Sequence, residues 1–206
     1  MLTEAASIGL VLRHYVSQGE KIIIFNRDIG KFKTSIKFSK KNLFFKEICA
    51  GVLIQYRYSS RGGGYLIVLE QIYEVPFALA IKNILFLHHL LEICYFFLPF
   101  ESYDNSAIFD LLMFVYHIDE NMMTAQFQKL LLFRLFALLG EYPEQMVFHE
   151  AFFYGLITCP LKNLSMQFIE LPIERLLDMW LINCIRSHPM VDSFKTTRFL
   201  DEVRIL

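Results

Sequence analysis

Two hydrophobic periods divide the chain. Up to Tyr73, apolar residues fall in short runs separated by polar or glycine-rich connections. Residues 7–13 (SIGLVLR), 20–25 (EKIIIF), 31–38 (KFKTSIKF), 48–58 (ICAGVLIQYRY) and 65–73 (YLIVLEQIY) have strand length and are rich in β-branched and aromatic residues. They predict five strands. In the third, Lys31 and Lys33 share one face with Phe32 opposite. The period is then read to slip, with Ile36 and Phe38 on one face and Lys37 on the other. Asn26-Arg27-Asp28-Ile29-Gly30 has turn chemistry. Residues 59–64 (SSRGGG) read as a flexible hairpin loop, not a phosphate loop, because they lack the GK[ST] signature and lead into a strand. Five antiparallel strands in some 70 residues, with Gly at bends, suit a small closed barrel of the OB-fold kind or an SH3-like one.

From Phe77 the period becomes helical. Helices are expected over residues 77–98, 104–118, 122–139 (stopped by Gly140 and Pro143), 172–186 and 196–204. Residues 145–162 are harder to read, with a break marked by Gly155 and Pro160. The expected fold class is therefore α+β: a five-stranded OB-fold barrel over residues 1–76, then an all-α domain over residues 77–206.

Charge follows the same division. Residues 1–76 carry 11 Lys and Arg against 6 Asp and Glu, and residues 77–206 carry 9 against 15. The net −1 thus hides a basic barrel joined to an acidic helical body, a distribution that suits nucleic-acid binding. Candidate backbone contacts are Arg13, Lys21, Arg27, Lys31, Lys33, Lys37, Lys40 and Lys41, with Tyr56 and Arg57 beside them. Five lysines in the eleven residues from Lys31 to Lys41 repel one another unless an anion is near. Phe32, Phe38, Tyr56 and Tyr58 offer flat faces for stacking bases. Burial is the competing reading and the favoured one for these rings, because large aromatic side chains dominate cores.

Other chemistries find little support. The mean hydropathy of +0.39 is high, but the most apolar window, residues 81–100, contains Lys82, His88, His89 and Glu92. Each charge near the centre of a span costs about 2.5–3.5 kcal/mol, so no membrane span is expected. The N-terminus lacks the basic and cleavage regions of a secretory signal. Cys49, Cys94, Cys159 and Cys184 are too scattered for a zinc motif and read as reduced thiols. His88 and Glu92 share a helical face without a third ligand, so no metal is expected. No Ser/His/Asp or Cys/His set assembles from sequence neighbours. An interaction scaffold, a peripheral membrane protein and an enzyme with a dispersed site stand as rival classes.

Four stretches resemble the bacterial recombination mediator family RecO. They are residues 9–33 (GLVLRHYVSQGEKIIIFNRDIGKFK), residues 66–76 leading through an acidic residue into Pro76, the pair LLEICYFFLPFES and IFDLLMFVYHID, and FRLFALLGEYPE with the tail FKTTRFLDEV. The resemblance implies a non-enzymatic protein without cofactors that works in DNA repair in the cytoplasm, associated with the nucleoid. It would bind single- and double-stranded DNA, anneal complementary strands and help load RecA. It also implies RecR and the acidic tail of the single-stranded DNA-binding protein as partners. Many members bind zinc through four cysteines after the position of Pro143; here QMVFH follows Glu144 and only Cys159 is nearby, so no zinc is expected.

Overall fold

The computed structural model describes residues 6–15, 21–38, 48–61, 64–74, 81–103, 105–142 and 150–196. Five strands form a closed barrel: β1 (Ser7–Tyr15), β2 (Lys21–Asn26), β3 (Gly30–Phe38), β4 (Leu53–Arg61) and β5 (Gly64–Glu74), in the order β1-β2-β3-β5-β4 with β4 returning to β1. This is the Greek-key arrangement of an OB-fold. One expectation is corrected: β3 and β5 pair in parallel. A ring with an odd number of strands cannot alternate direction throughout, so closing five strands forces at least one parallel pair. The fourth strand also starts later than expected, at Leu53, because Gly51 takes φ +91 and turns the chain.

Period two holds from Phe32 to Ile36; the slip expected beyond it turns on Lys37 and Phe38, whose side chains lie outside the described residues. Phe32, Thr34 and Ile36 are buried in the direction of the barrel interior, while Lys33 is exposed on the other side. The interior is filled by Val11, Ile22, Ile24, Phe32, Ile54 and Ile67, among others. At Leu12 the β1–β2 register shifts by one residue. That bulge places Leu12 and Arg13 together on the outer side. The β2–β3 turn is held by Asn26, whose Oδ1 accepts from the backbone N–H of Asp28 (2.8 Å) and of Ile29 (3.1 Å).

The helical part comprises α1 (Ile84–Phe97), α2 (Ser106–His117), α3 (Ala125–Leu138), α4 (Glu150–Thr158), α5 (Leu161–Leu164) and α6 (Leu171–Arg186). Asn83 leaves the helical region at φ −131, so α1 begins there rather than running unbroken from further back. Thr124 caps α3 by accepting from Phe127 N–H. Of the two marks of the break expected in residues 145–162, Pro160 stands at it, between α4 and α5, whereas Gly155 lies within α4. The boundary expected after Pro76, the start of the first helix at Phe77, the start of the second at Asp104, Pro143 and the tail from residue 197 lie outside the described residues. Among the described residues, no helix is long and apolar enough to cross a membrane.

Barrel and helices share one core. Leu10, Leu12, Ile23, Phe25 and Leu53 point out of the barrel and join the helical cluster of α1, α2, α3 and α6. Phe25 meets Phe109 edge-on at 5.7 Å, and Tyr116 Oη donates to Gly51 O at 2.7 Å. After α1 the chain docks on β3: Lys31 bridges to Phe100, and Glu101 N–H donates to Lys31 O at 2.8 Å. Gly30, at φ +80, permits this approach, because a Cβ there would collide with the Ser102 carbonyl. Within the helices, α3 is the central element, and its buried Lys129 is paired with Glu174 (2.7 Å) and Asp178 (2.9 Å) of α6.

Candidate nucleic-acid interface

The outer face of β1–β3 has two halves. Helices cover the half around Phe25 and reach as far as Ile23, while Arg13, Lys21 and Lys33 at the edge of the other half remain exposed. Strand register explains why cations collect on the open side: Arg13 lies opposite Ile23, Ile23 opposite Lys33, and Tyr15 opposite Lys21. Residues at matching positions of neighbouring strands project to one face. Arg13, Lys21 and Lys33 are all exposed.

Two tyrosines organise these charges. Tyr15 extends from β1 and Tyr95 from α1, and their hydroxyls are hydrogen-bonded at 2.9 Å. The Arg13 guanidinium carbon is 4.9 Å from the Tyr15 ring centroid and 5.0 Å from that of Tyr95. Lys33 Nζ lies 5.4 Å from the Tyr15 centroid. Such cation–π contacts fix the orientation of a guanidinium without neutralising it. Burial, followed by the hydrogen bond with Tyr95, raises the Tyr15 pKa, which keeps the phenol neutral. The result is a preorganised patch of three exposed cations beside two aromatic rings, suited to phosphates and flat bases.

The remaining expected residues are placed as follows. Tyr56 is corrected: it is fully buried in the barrel interior, where it packs on Phe32 with ring centroids 6.3 Å apart, and burial drives its pKa upward. It cannot stack a base. Phe32 is likewise interior, in line with the core reading. Tyr58 is half-buried against the same cluster, beside Tyr65. Lys31 is also corrected: only 3% exposed, it donates to the Tyr95 carbonyl at 2.6 Å and sits 4.4 Å from the Phe100 centroid. Burial lowers its pKa to about 8. It serves as a strap between β3 and the last turn of α1, where a cation suits the helix dipole. Arg27 is exposed but ion-paired with Asp110 of α2 at 3.0 Å. Arg57 pairs with Glu70 at 2.7 Å; its strand β4 is bonded to β1, but Arg57 follows Tyr56, the partner of Ser7, and so lies at the end of β1 away from Arg13. Lys37 lies on β3, and its side chain is outside the described residues, as are Lys40 and Lys41.

Glu92, weighed as half of a metal pair, has another role. Its carboxylate accepts from Lys195 N–H (3.0 Å), Thr196 N–H (2.9 Å) and Thr196 Oγ1 (2.6 Å). His89, buried, contacts Thr196 Oγ1 through Nδ1 at 2.7 Å, and burial lowers its pKa to about 3. Together they fasten residues 195–196 onto α1. Among the described residues, no three His, Cys, Asp or Glu groups cluster to hold a metal.

Sequence reading missed Tyr15, Tyr95 and Lys195. Tyr15 was within reach, being two residues from Arg13 on one strand face. Tyr95 and Lys195 come from distant parts of the chain, and nothing local announces them. The chain matches no family model and no curated protein.

Proposed function

We propose that this chain is a DNA-binding recombination mediator of the RecO kind that captures single strands on the open face of β1–β3. The observation that carries the reading is the cluster of Arg13, Lys21 and Lys33 around the Tyr15–Tyr95 pair. Exposed cations track a phosphate backbone, and neighbouring rings accept bases whatever their sequence. The barrel order, strands 2 and 3 of which carry ligands in many OB-folds, supports it further. The RecO resemblance extends the reading to double-stranded DNA, strand annealing and assistance to RecA loading, with no cofactor and no hydrolysis. By the same resemblance RecR and the acidic tail of the single-stranded DNA-binding protein are its protein partners, and its place is the cytoplasm, at the nucleoid.

The test is anisotropy of a labelled single-stranded oligonucleotide across a salt series. Wild type should bind with affinity that falls steeply as salt rises, and Lys21→Glu with Lys33→Glu should abolish binding. Arg57→Glu, on β4 and outside the patch, should leave the Lys21/Lys33 dependence intact. Wild-type binding indifferent to salt and to the double substitution would overturn the reading. Annealing of complementary oligonucleotides, lost in the same double variant, would extend it to mediator activity.

A further inference from the structure

A groove of about 540 Å³ opens beside the patch, between β1, α1 and residues 190–195. Its volume falls within the roughly 300–1,000 Å³ typical of small-ligand sites. We propose that this groove receives one unstacked base of a bound single strand, and that it favours bases carrying an exocyclic amine. The inference rests on the DNA-binding reading above and deepens it.

Continuity comes first. Arg13 and Tyr95 belong both to the open cationic face and to the groove lining. A strand whose phosphate meets Arg13 therefore has its next base at the groove mouth. Shape follows. Tyr95 presents a ring, Phe96 stands at 84° to it, and Leu12, Leu91 and Met190 supply apolar surface. An aromatic wall with aliphatic neighbours suits a flat, mostly apolar heterocycle.

Charge decides between a base and an acidic peptide. Arg13 and Lys195 are balanced in the lining by Glu92 and Asp192. A neutral ring can enter such a site, whereas an acidic peptide would bring its carboxylates against two of the same sign. Glu92 is engaged by the amides of Lys195 and Thr196. Asp192, exposed on the 3₁₀ turn Val191–Ser193, remains as the acceptor for an amine. A carboxylate accepts well from cytosine N4, and thymine has no such group.

Oligo(dC) and oligo(dT) of equal length isolate this feature, since both are flexible pyrimidine strands. The 206-residue chain should bind oligo(dC) several-fold more tightly, with the same salt slope for both. Ser193→Trp, which fills the groove from an exposed position, should bring oligo(dC) down to the oligo(dT) level without changing that slope. Asp192→Asn should remove the preference as well, and Met190→Trp serves as a second filling variant. Equal affinities in wild type, or a preference that survives both filling variants, would overturn the groove assignment and leave the DNA-binding reading standing. Absence of salt-dependent binding to either strand would overturn both. An acidic peptide ending in phenylalanine that binds wild type but not Ser193→Trp, with the two oligonucleotides equal, would assign the groove to a peptide and also overturn the proposal.

Discussion

Lys31 and Lys33 stand two residues apart on β3 and point out of the same side of the barrel, yet they lie in different surroundings. Lys33 is exposed, with its ammonium near Tyr15. Lys31 is sealed under α1 and the turn at Phe100, with its ammonium on a helix carbonyl. The difference reflects the two halves of the outer face. Around Phe25 the face is a docking surface, and around Arg13 it is open to ligands. A cation on the covered half becomes part of the structure, while one on the open half can meet a phosphate. Strand parity sets the side of the sheet, and position along the strand sets the role.

The largest test asks whether the covered half is truly a core. Phe25 is completely buried and edge-on to Phe109. Phe25→Ala should cost about 3–5 kcal/mol, a large share of a stability of about 5–15 kcal/mol. The only tryptophan, Trp180, sits in the helical body against Phe133 and Phe136. Its fluorescence should therefore report a barrel substitution, with a urea midpoint that moves together with that of the far-ultraviolet dichroism. If the Trp180 transition stayed put while the strand signal shifted, barrel and helices would unfold independently. The covered half would then be a contact between two domains.

Much of this division could be read from the chain. The five strands and most helices stand close to their expected places, and the alternation Lys31-Phe32-Lys33 gives the correct inner and outer sides. The parallel β3–β5 pair follows from closing an odd ring, a constraint of topology that no local residue carries. The covering of one half left a signal too. IGLVL and IIIF are continuous apolar runs, as in strands buried on both faces, and Phe25 is the register partner of Lys31. Burial of Lys31 follows from those two facts together, but only once the register is known. The tyrosine pair was out of reach, because Tyr15 and Tyr95 are separated by 80 residues and meet only through the docking of α1.

The lysine pair gives the next test. Lys33→Met should leave stability within about 0.5 kcal/mol and weaken oligonucleotide binding, lowering the salt slope by about 0.7 for one lost phosphate contact on a single strand. Lys31→Met should leave binding and slope unchanged. Lys31→Glu should cost about 2 kcal/mol or more, because it buries a carboxylate against a carbonyl. Titration tests the burial of Lys31 further. The folded state releases the Lys31 proton near pH 8, while the unfolded chain keeps it to about 10.5. Between these values unfolding takes up a proton, so stability rises with pH by this contribution. Wild type should therefore gain on Lys31→Met from pH 8 to 10.5 in denaturant titrations. A constant difference across that range would mean that Lys31 is solvated and the two halves are not distinct at this point.

The smallest effect belongs to the rim where the halves meet solvent. Arg27 of the β2–β3 turn reaches Asp110 of α2 at 3.0 Å, and both side chains are about half exposed, at 56% and 51%. The pair spans the seam between barrel and helices, so it looks like a fastening. Its surroundings argue against that. Water screens the charges, and two long side chains lose freedom to hold one geometry. A double-mutant cycle with Arg27→Ala and Asp110→Ala should give a coupling of about 0.2–1 kcal/mol, and less as salt is raised. The seam would then be held by Phe25 and its apolar neighbours, with the ion pair setting little more than the position of the turn. A coupling above about 2 kcal/mol that persisted at high salt would place the dry part of the interface further out than the exposures indicate, and Arg27 would join Lys31 among the cations that build the structure.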